Sequence, residues 1–227
     1  VDQRTILVTG GSSGLGAAVV AACLESGDRP YVLDVDPPPA SVDHALVDLT
    51  DTQKTAAVVR QAVEETGGFD AVVTCAGTDA CGRLEDVPAD AWDRVVQVNL
   101  LGTAAVVRAA VPSLRERRGR VVTVASTLGL KAVSDATAYC ASKFGVVGFT
   151  RALAAELAGE VGVTLLVPGG MDTAFFDGRT EQYRPGPDAV LNPPSEVANA
   201  IMFVLGLRPG HEVRELVVAV STEPSWP

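Results

Sequence analysis

Short runs of apolar, β-branched residues alternate with longer helix-patterned stretches along almost all of this 227-residue chain. The runs are Thr5–Val8, Tyr31–Asp34, Ala45–Val47, Ala71–Cys75, Arg120–Ala125, Val163–Val167 and Leu216–Val220. Between them lie helical patterns at Leu15–Ser26, Thr52–Thr66, Ala89–Arg117, Ala138–Gly159 and Ser195–Leu205. Most runs are apolar throughout, as strands covered on both faces must be. Joined by right-handed crossovers, they predict a doubly wound parallel sheet of the Rossmann type, about seven strands with helices on both faces. Such a sheet holds ligands at the carboxyl ends of its strands. No composition break divides the chain, so residues 1–227 are read as a single domain. The stretch 172–194 contains Gly178, Pro185, Gly186, Pro187, Pro193 and Pro194 with little periodicity, and is expected to be a surface loop acting as a lid.

Charge and cysteine usage narrow the function classes. Eighteen basic against 28 acidic residues give a formal net charge of −10, and only Arg115–Arg118 resembles a basic block. That block falls at a helix end, where cations suit the dipole, so no nucleic-acid partner is expected. The four cysteines, Cys23, Cys75, Cys81 and Cys140, form neither a CxxC nor a Cys/His pattern. A reduced, metal-free cytoplasmic protein is the expectation. No leader-like or membrane-spanning run is apparent, and because the chain begins at Val1 its native start is expected upstream.

The turn Thr9-Gly10-Gly11-Ser12-Ser13-Gly14-Leu15-Gly16 admits two chemistries. Gly10, Ser12 and Gly14 fit the G-x-S-x-G elbow of a serine hydrolase. That elbow needs a later carboxylate and histidine, and only His44 and His211 exist. Alternatively, Gly10 allows a tight turn, Gly14 lets backbone approach a pyrophosphate, and Gly16 lets the next helix pack close to the strand. A ribose-reading carboxylate is then expected roughly 20 residues on. Asp34 stands there, ending the second strand. Its charge and that of Asp36 oppose a 2′-phosphate, and no Arg or Lys occurs in 11–13 or 35–39. The nucleotide reading is preferred, with NAD favoured over NADP.

Tyr139-Cys140-Ala141-Ser142-Lys143 places a phenol and an amine at i and i+4, on one helix face. A nearby ammonium favours the phenolate and brings tyrosine toward the working pH of an acid–base catalyst. Ser126 follows the apolar strand Val121–Ala125, so its hydroxyl should emerge at the carboxyl edge of the sheet. Asn99, in "VVQVNLLG", is an indifferent residue inside a helix and suggests a local kink or a water-holding role.

Taken with Asp48, Cys75-Ala76-Gly77, and Pro168-Gly169 followed by Thr173, these residues resemble the short-chain dehydrogenase/reductase family, from the chain start to about residue 173. The resemblance implies an enzyme interconverting an alcohol and a ketone or aldehyde by hydride transfer with NAD. Tyr139 would be the general acid or base, Ser126 would steady the substrate oxygen, and Lys143 would hold the nicotinamide ribose. Asn99 would hold a water linking Lys143 to solvent. The cofactor would lie along Gly10, Ser12, Ser13, Gly14, Leu15 and Gly16. Asp48 and Leu49 would meet adenine, Ala76 and Gly77 the adenosine ribose, and Pro168, Gly169 and Thr173 the nicotinamide. Cys75 replaces an asparagine usual in the family and offers a weaker hydrogen bond.

Substrate walls are expected from 78–83, 127–131 and the loop beyond Thr173, with Phe175 and Phe176 apolar and Arg179, Arg184 and Lys131 facing water. The Ala/Val-rich helix 102–117 and the helix 139–158 suggest a homodimer or homotetramer with a small-molecule substrate. A dinucleotide-binding regulator without catalysis is the rival from another class, opposed by the complete Asn99–Ser126–Tyr139–Lys143 set.

Overall fold

The structure, a computed structural model, describes residues 3–226. Seven parallel strands form one sheet: β1 (Thr5–Thr9), β2 (Arg29–Asp34), β3 (Asp43–Leu46), β4 (Ala71–Thr74), β5 (Arg120–Val124), β6 (Gly162–Pro168) and β7 (Glu215–Val218). Their order is β3-β2-β1-β4-β5-β6-β7. The chain builds outward from β1 in one direction, then returns to β4 on its other side. The crevice between β1 and β4 is therefore the switch point where such sheets hold ligands.

The pleat sorts each strand between two layers. Leu7, Leu33, Val72, Val121 and Val163 face a core completed by α2 (Thr52–Thr66), α4 (Thr103–Arg117) and α5 (Thr137–Glu156). Ile6, Val8, Val32, Val73, Val122 and Leu166 face the opposite core, under α1 (Gly14–Glu25) and α6 (Pro194–Leu205). Both sets of side chains are fully or almost fully buried, which is why the strands lack hydrophobic alternation. Burying such side chains contributes roughly 1.5–3 kcal/mol each before chain entropy is subtracted.

Two expectations about helices change. The predicted continuous helix 89–117 is α3 (Ala89–Val96) and α4 joined by a π-helical turn, Gln97–Gly102. By length and apolarity this 29-residue stretch would suit a membrane span, against the sequence reading, but half of its apolar window is buried inside the protein. The segment 172–194 is also more ordered than its composition suggests. Short 3-10 turns occupy Ala174–Phe176 and Glu181–Tyr183. Its neck is closed by Asn192, whose backbone N–H and Nδ2 both donate to the Gly170 carbonyl, at 2.8 and 3.0 Å.

Candidate active site

A cleft of about 590 Å³ opens along the carboxyl edge of the sheet. It runs from Asp34, Asp36 and Asp48, past the glycine turn, to Ser126, Tyr139, Lys143 and the loop after β6. The turn is built for close approach. A Cβ on Gly16 would lie 2.0 Å from the Gly10 carbonyl oxygen, and one on Gly10 would lie 2.8 Å from the Ala76 backbone. Only glycine lets α1 start this near β1 and β4. Ser13 makes no side-chain cap, so the first N–H groups of α1 remain available where the cleft passes.

Asp34 is fixed by its own backbone surroundings. Its carboxylate accepts from Ser12 N–H at 2.9 Å and Val35 N–H at 2.7 Å. Ser12 differs from expectation. Its hydroxyl donates to the Asp36 carbonyl at 2.5 Å and its side chain does not line the cleft. Neither His44 nor His211 lines the cleft, so no imidazole stands there to serve as base for a Ser12 nucleophile. Asp48 accepts from Thr50 N–H at 3.0 Å and from Arg94 at 3.1 Å, an interaction the sequence did not suggest. The Thr50 backbone N–H, more than Arg94, holds the Asp48 carboxyl below its ordinary range.

At the other end, β5 delivers Ser126 in extended backbone at the start of a 3-10 turn, where its Oγ accepts from Leu128 N–H at 3.1 Å. The first turn of α5 carries Tyr139, which lines the same end of the cleft as Ser126. Lys143, one turn on, is 5 % exposed and its Nζ lies 5.6 Å from the Tyr139 ring centroid. Nζ donates to the Val124 carbonyl at 2.9 Å.

The anticipated acidification of Tyr139 by Lys143 is not what this geometry produces. Burial pushes the phenol up to about 12, outweighing the neighbouring Ser126 hydroxyl, which favours phenolate. Burial also pushes the Lys143 ammonium down to about 8. Desolvation outweighs charge pairing for both groups.

Asn99 sits in the π-helical turn, 1 % exposed, and is held behind Gly77 rather than in the cleft wall. Its Oδ1 accepts from Thr78 N–H at 2.8 Å. Its Nδ2 donates to the Thr78 carbonyl at 2.9 Å and to Ser142 Oγ at 3.0 Å. The expected kink is present, and the amide spends its bonds tying the loop after β4 to α5. Oδ1 and Lys143 Nζ nonetheless share a locality: a Cβ on Gly77 would lie 3.5 and 3.8 Å from them.

The remaining residues singled out in the sequence, Gly10, Ser13, Gly14, Leu15, Gly16, Leu49, Ala76, Gly77, Pro168, Gly169 and Thr173, all line the cleft. Three features were missed. Arg179 does not face water. It pairs with Asp79 at 2.6 Å and stacks over Phe175 and Phe176 at 5.0 and 4.6 Å, while Phe175 packs 5.8 Å from the Tyr139 ring. Glu223 and Ser225, beyond β7, form part of the same cleft wall. Glu223 accepts from Gly170 N–H at 2.9 Å, and Ser225 Oγ lies 2.6 Å from Thr127 Oγ1. No periodicity marks a coil that returns to a site, so the sequence carried no signal for this tail.

Comparison with known proteins agrees with this geometry. Residues 4–184 match the family model described as short chain dehydrogenase. A D-beta-hydroxybutyrate dehydrogenase of Cupriavidus necator is 32 % identical over 196 residues, covering 80 % of this chain and 76 % of that protein. Ligand-free aldohexose dehydrogenase of Thermoplasma acidophilum superposes with a TM-score of 0.85 at 25 % identity, covering 96 % of this chain and 92 % of its own. A variant of actinorhodin polyketide ketoreductase with NADPH gives 0.85 at 27 % identity, covering 96 % of each chain. Fold, cleft and family match converge: the chain belongs to the short-chain dehydrogenase/reductase family.

Proposed function

We propose that the protein is an NAD(H)-dependent oxidoreductase that interconverts an alcohol and a ketone or aldehyde, with Tyr139 as its general acid and base. The observation that carries this reading is one continuous cleft with Asp34 at one end and Ser126, Tyr139 and Lys143 at the other. The whole sheet then serves as one dinucleotide-binding domain. Its residues fit a dinucleotide: a Cβ-free approach at Gly10 and Gly16, open N–H groups on α1, and a carboxylate fixed at the end of β2.

When bound, the nicotinamide supplies or accepts the hydride. The chain's own residues manage the oxygen and its proton. Ser126 and Tyr139, which line the same end of the cleft, both address a carbonyl oxygen placed beside them. With its phenol pushed up to about 12, Tyr139 is protonated at neutral pH and is ready to donate in the direction of reduction. Oxidation needs the phenolate and so gains as pH rises. Lys143 provides a buried positive charge below Tyr139, and Asn99 positions the loop and helix that carry the site. Gly10, Ser13, Gly14, Leu15, Gly16, Asp48, Leu49, Ala76, Gly77, Pro168, Gly169 and Thr173 would hold the cofactor, and residues 172–194 would form the lid.

Preference for NAD rests on Asp34 and Asp36 with no cation in 11–13 or 35–39. Exposed Leu101 and Phe144, both about half accessible, support association through the face formed by the π-helical turn and α5. The deciding test is Tyr139→Phe. Turnover should fall by about 10²–10⁴-fold, while NADH binding measured by fluorescence titration persists. Undiminished turnover would remove Tyr139 from the mechanism.

A further inference from the structure

The substrate end of the cleft has four basic side chains nearby, and the structure commits all four elsewhere. Arg179 is paired with Asp79 and also reaches the Tyr183 carbonyl at 3.3 Å. Arg184 donates to the carbonyls of Arg179 and Asp177, and Lys131 to that of Pro224. Lys143 is buried and committed to the Val124 carbonyl. Arg94 belongs to the other end, against Asp48.

Glu223 is the opposite case. The tail after β7 crosses between the 127–131 loop and the loop after β6, and sets this carboxylate in the wall shared with Ser126 and Tyr139. Oε2 accepts from Gly170 N–H and Oε1 accepts from the backbone N–H and hydroxyl of Ser225, at 2.9, 3.1 and 2.5 Å. Among the described residues no cation lies within ion-pair distance of it. These bonds fix it in place without cancelling its charge.

We infer that Glu223 is a specificity-determining residue that excludes carboxylate- and phosphate-bearing substrates, so that the reacting carbonyl or carbinol belongs to a molecule that is uncharged or cationic near that carbon. This deepens the oxidoreductase reading and rests on it. The three donors that hold Glu223 also favour its ionised form, and its carboxyl lies below the ordinary value even though burial opposes this. A second anion placed beside a fixed, partly desolvated one is penalised, whereas a neutral ester or ketone meets only a satisfied acceptor.

The test uses the full chain with NADH at pH 7 and matched keto acids and methyl esters: acetoacetate with methyl acetoacetate, levulinate with methyl levulinate. The esters should exceed their acids in kcat/KM by about tenfold or more, equivalent to ~1.4 kcal/mol. Glu223→Gln should narrow that ratio, and Glu223→Lys should invert it, in proteins shown to be folded by circular dichroism. If either variant fails to fold, the wild-type ratio measured from low to high KCl replaces it, since screening should shrink the ratio. Acids used as well as esters by the wild-type protein, or a ratio unmoved by both variants and by salt, would overturn the inference alone. Absence of turnover for every pair and for a broad carbonyl and alcohol panel, despite NADH binding, would overturn the oxidoreductase reading and this one with it.

Discussion

A buried lysine is usually found paired with a carboxylate, yet Lys143 makes its hydrogen bond to a backbone carbonyl and has no ion-pair partner among the described residues, with the Tyr139 ring centroid 5.6 Å from its Nζ. Its ammonium is therefore carried into the core at a cost. The folded-state value is pushed down to about 8 from 10.5, so below pH 8 both states are protonated and the folded state bears the full penalty. Between pH 8 and 10.5 the unfolded chain binds the extra proton, and stability attributable to this residue rises with pH. Lys143→Met should therefore unfold at a higher temperature than wild type at pH 7, by an amount reflecting up to about 3 kcal/mol. The gap should close as pH approaches 10.5. Tyr139, pushed the other way, loses stability above pH 10, but does so in both proteins and cancels in the difference. Calorimetric midpoints across this range provide the check, and a gap independent of pH would show that burial of the charge is not its cause. At this scale the i and i+4 spacing of Tyr139 and Lys143 was legible in sequence, because helix geometry is local. The sign of the tyrosine shift was not, because desolvation depends on what the rest of the chain places around the ring.

Among the elements, the π-helical turn Gln97–Gly102 has the clearest tertiary cause. Nothing in the apolar pattern of 89–117 interrupts a helix, and asparagine alone marks the place. What sustains the wider turn is the set of bonds from Asn99 to Thr78 and Ser142, residues far away in sequence. Asn99→Ala leaves the half-buried Thr78 N–H and carbonyl without these partners, and urea unfolding should show a loss of about 1–3 kcal/mol. Asn99→Asp keeps the acceptor for Thr78 N–H but loses both donors, and should also be destabilised. A midpoint unchanged by either substitution would show that the helix holds this shape without the side chain. The strands were easier to read. Residues buried on both faces leave an unbroken apolar run, and only the ends moved, as at β3 and β7, where the edges of the sheet are partly exposed.

At the scale of the molecule, the cleft draws on both halves of the sheet: the turn after β1 and the end of β2 on one side, β5, α5 and the loop after β6 on the other. A ligand that spans it ties the halves together, and anything that binds only the folded chain raises its unfolding midpoint by mass action. NADH at a hundredfold excess over its dissociation constant should add about 2.7 kcal/mol. NADPH at the same concentration should add less, since Asp34 and Asp36 oppose its extra phosphate. Differential scanning calorimetry with the two cofactors measures this directly, and an equal or larger shift with NADPH would remove Asp34 from its proposed role.

The amino-acid order alone determined the parallel sheet, the glycine turn, the carboxylate at the end of β2 and the Ser126, Tyr139 and Lys143 set. Each depends on periodicity, on a missing Cβ or on a spacing within one element, and such constraints act between near neighbours along the chain. Tertiary structure decided the rest. It turned Ser12 toward Asp36, placed Arg179 on Asp79 and brought the coil after β7 back to the cleft with Glu223. Those arrangements are contests between distant groups for the same hydrogen bonds and the same shelter from water, and they are settled only when the whole sheet has closed around them.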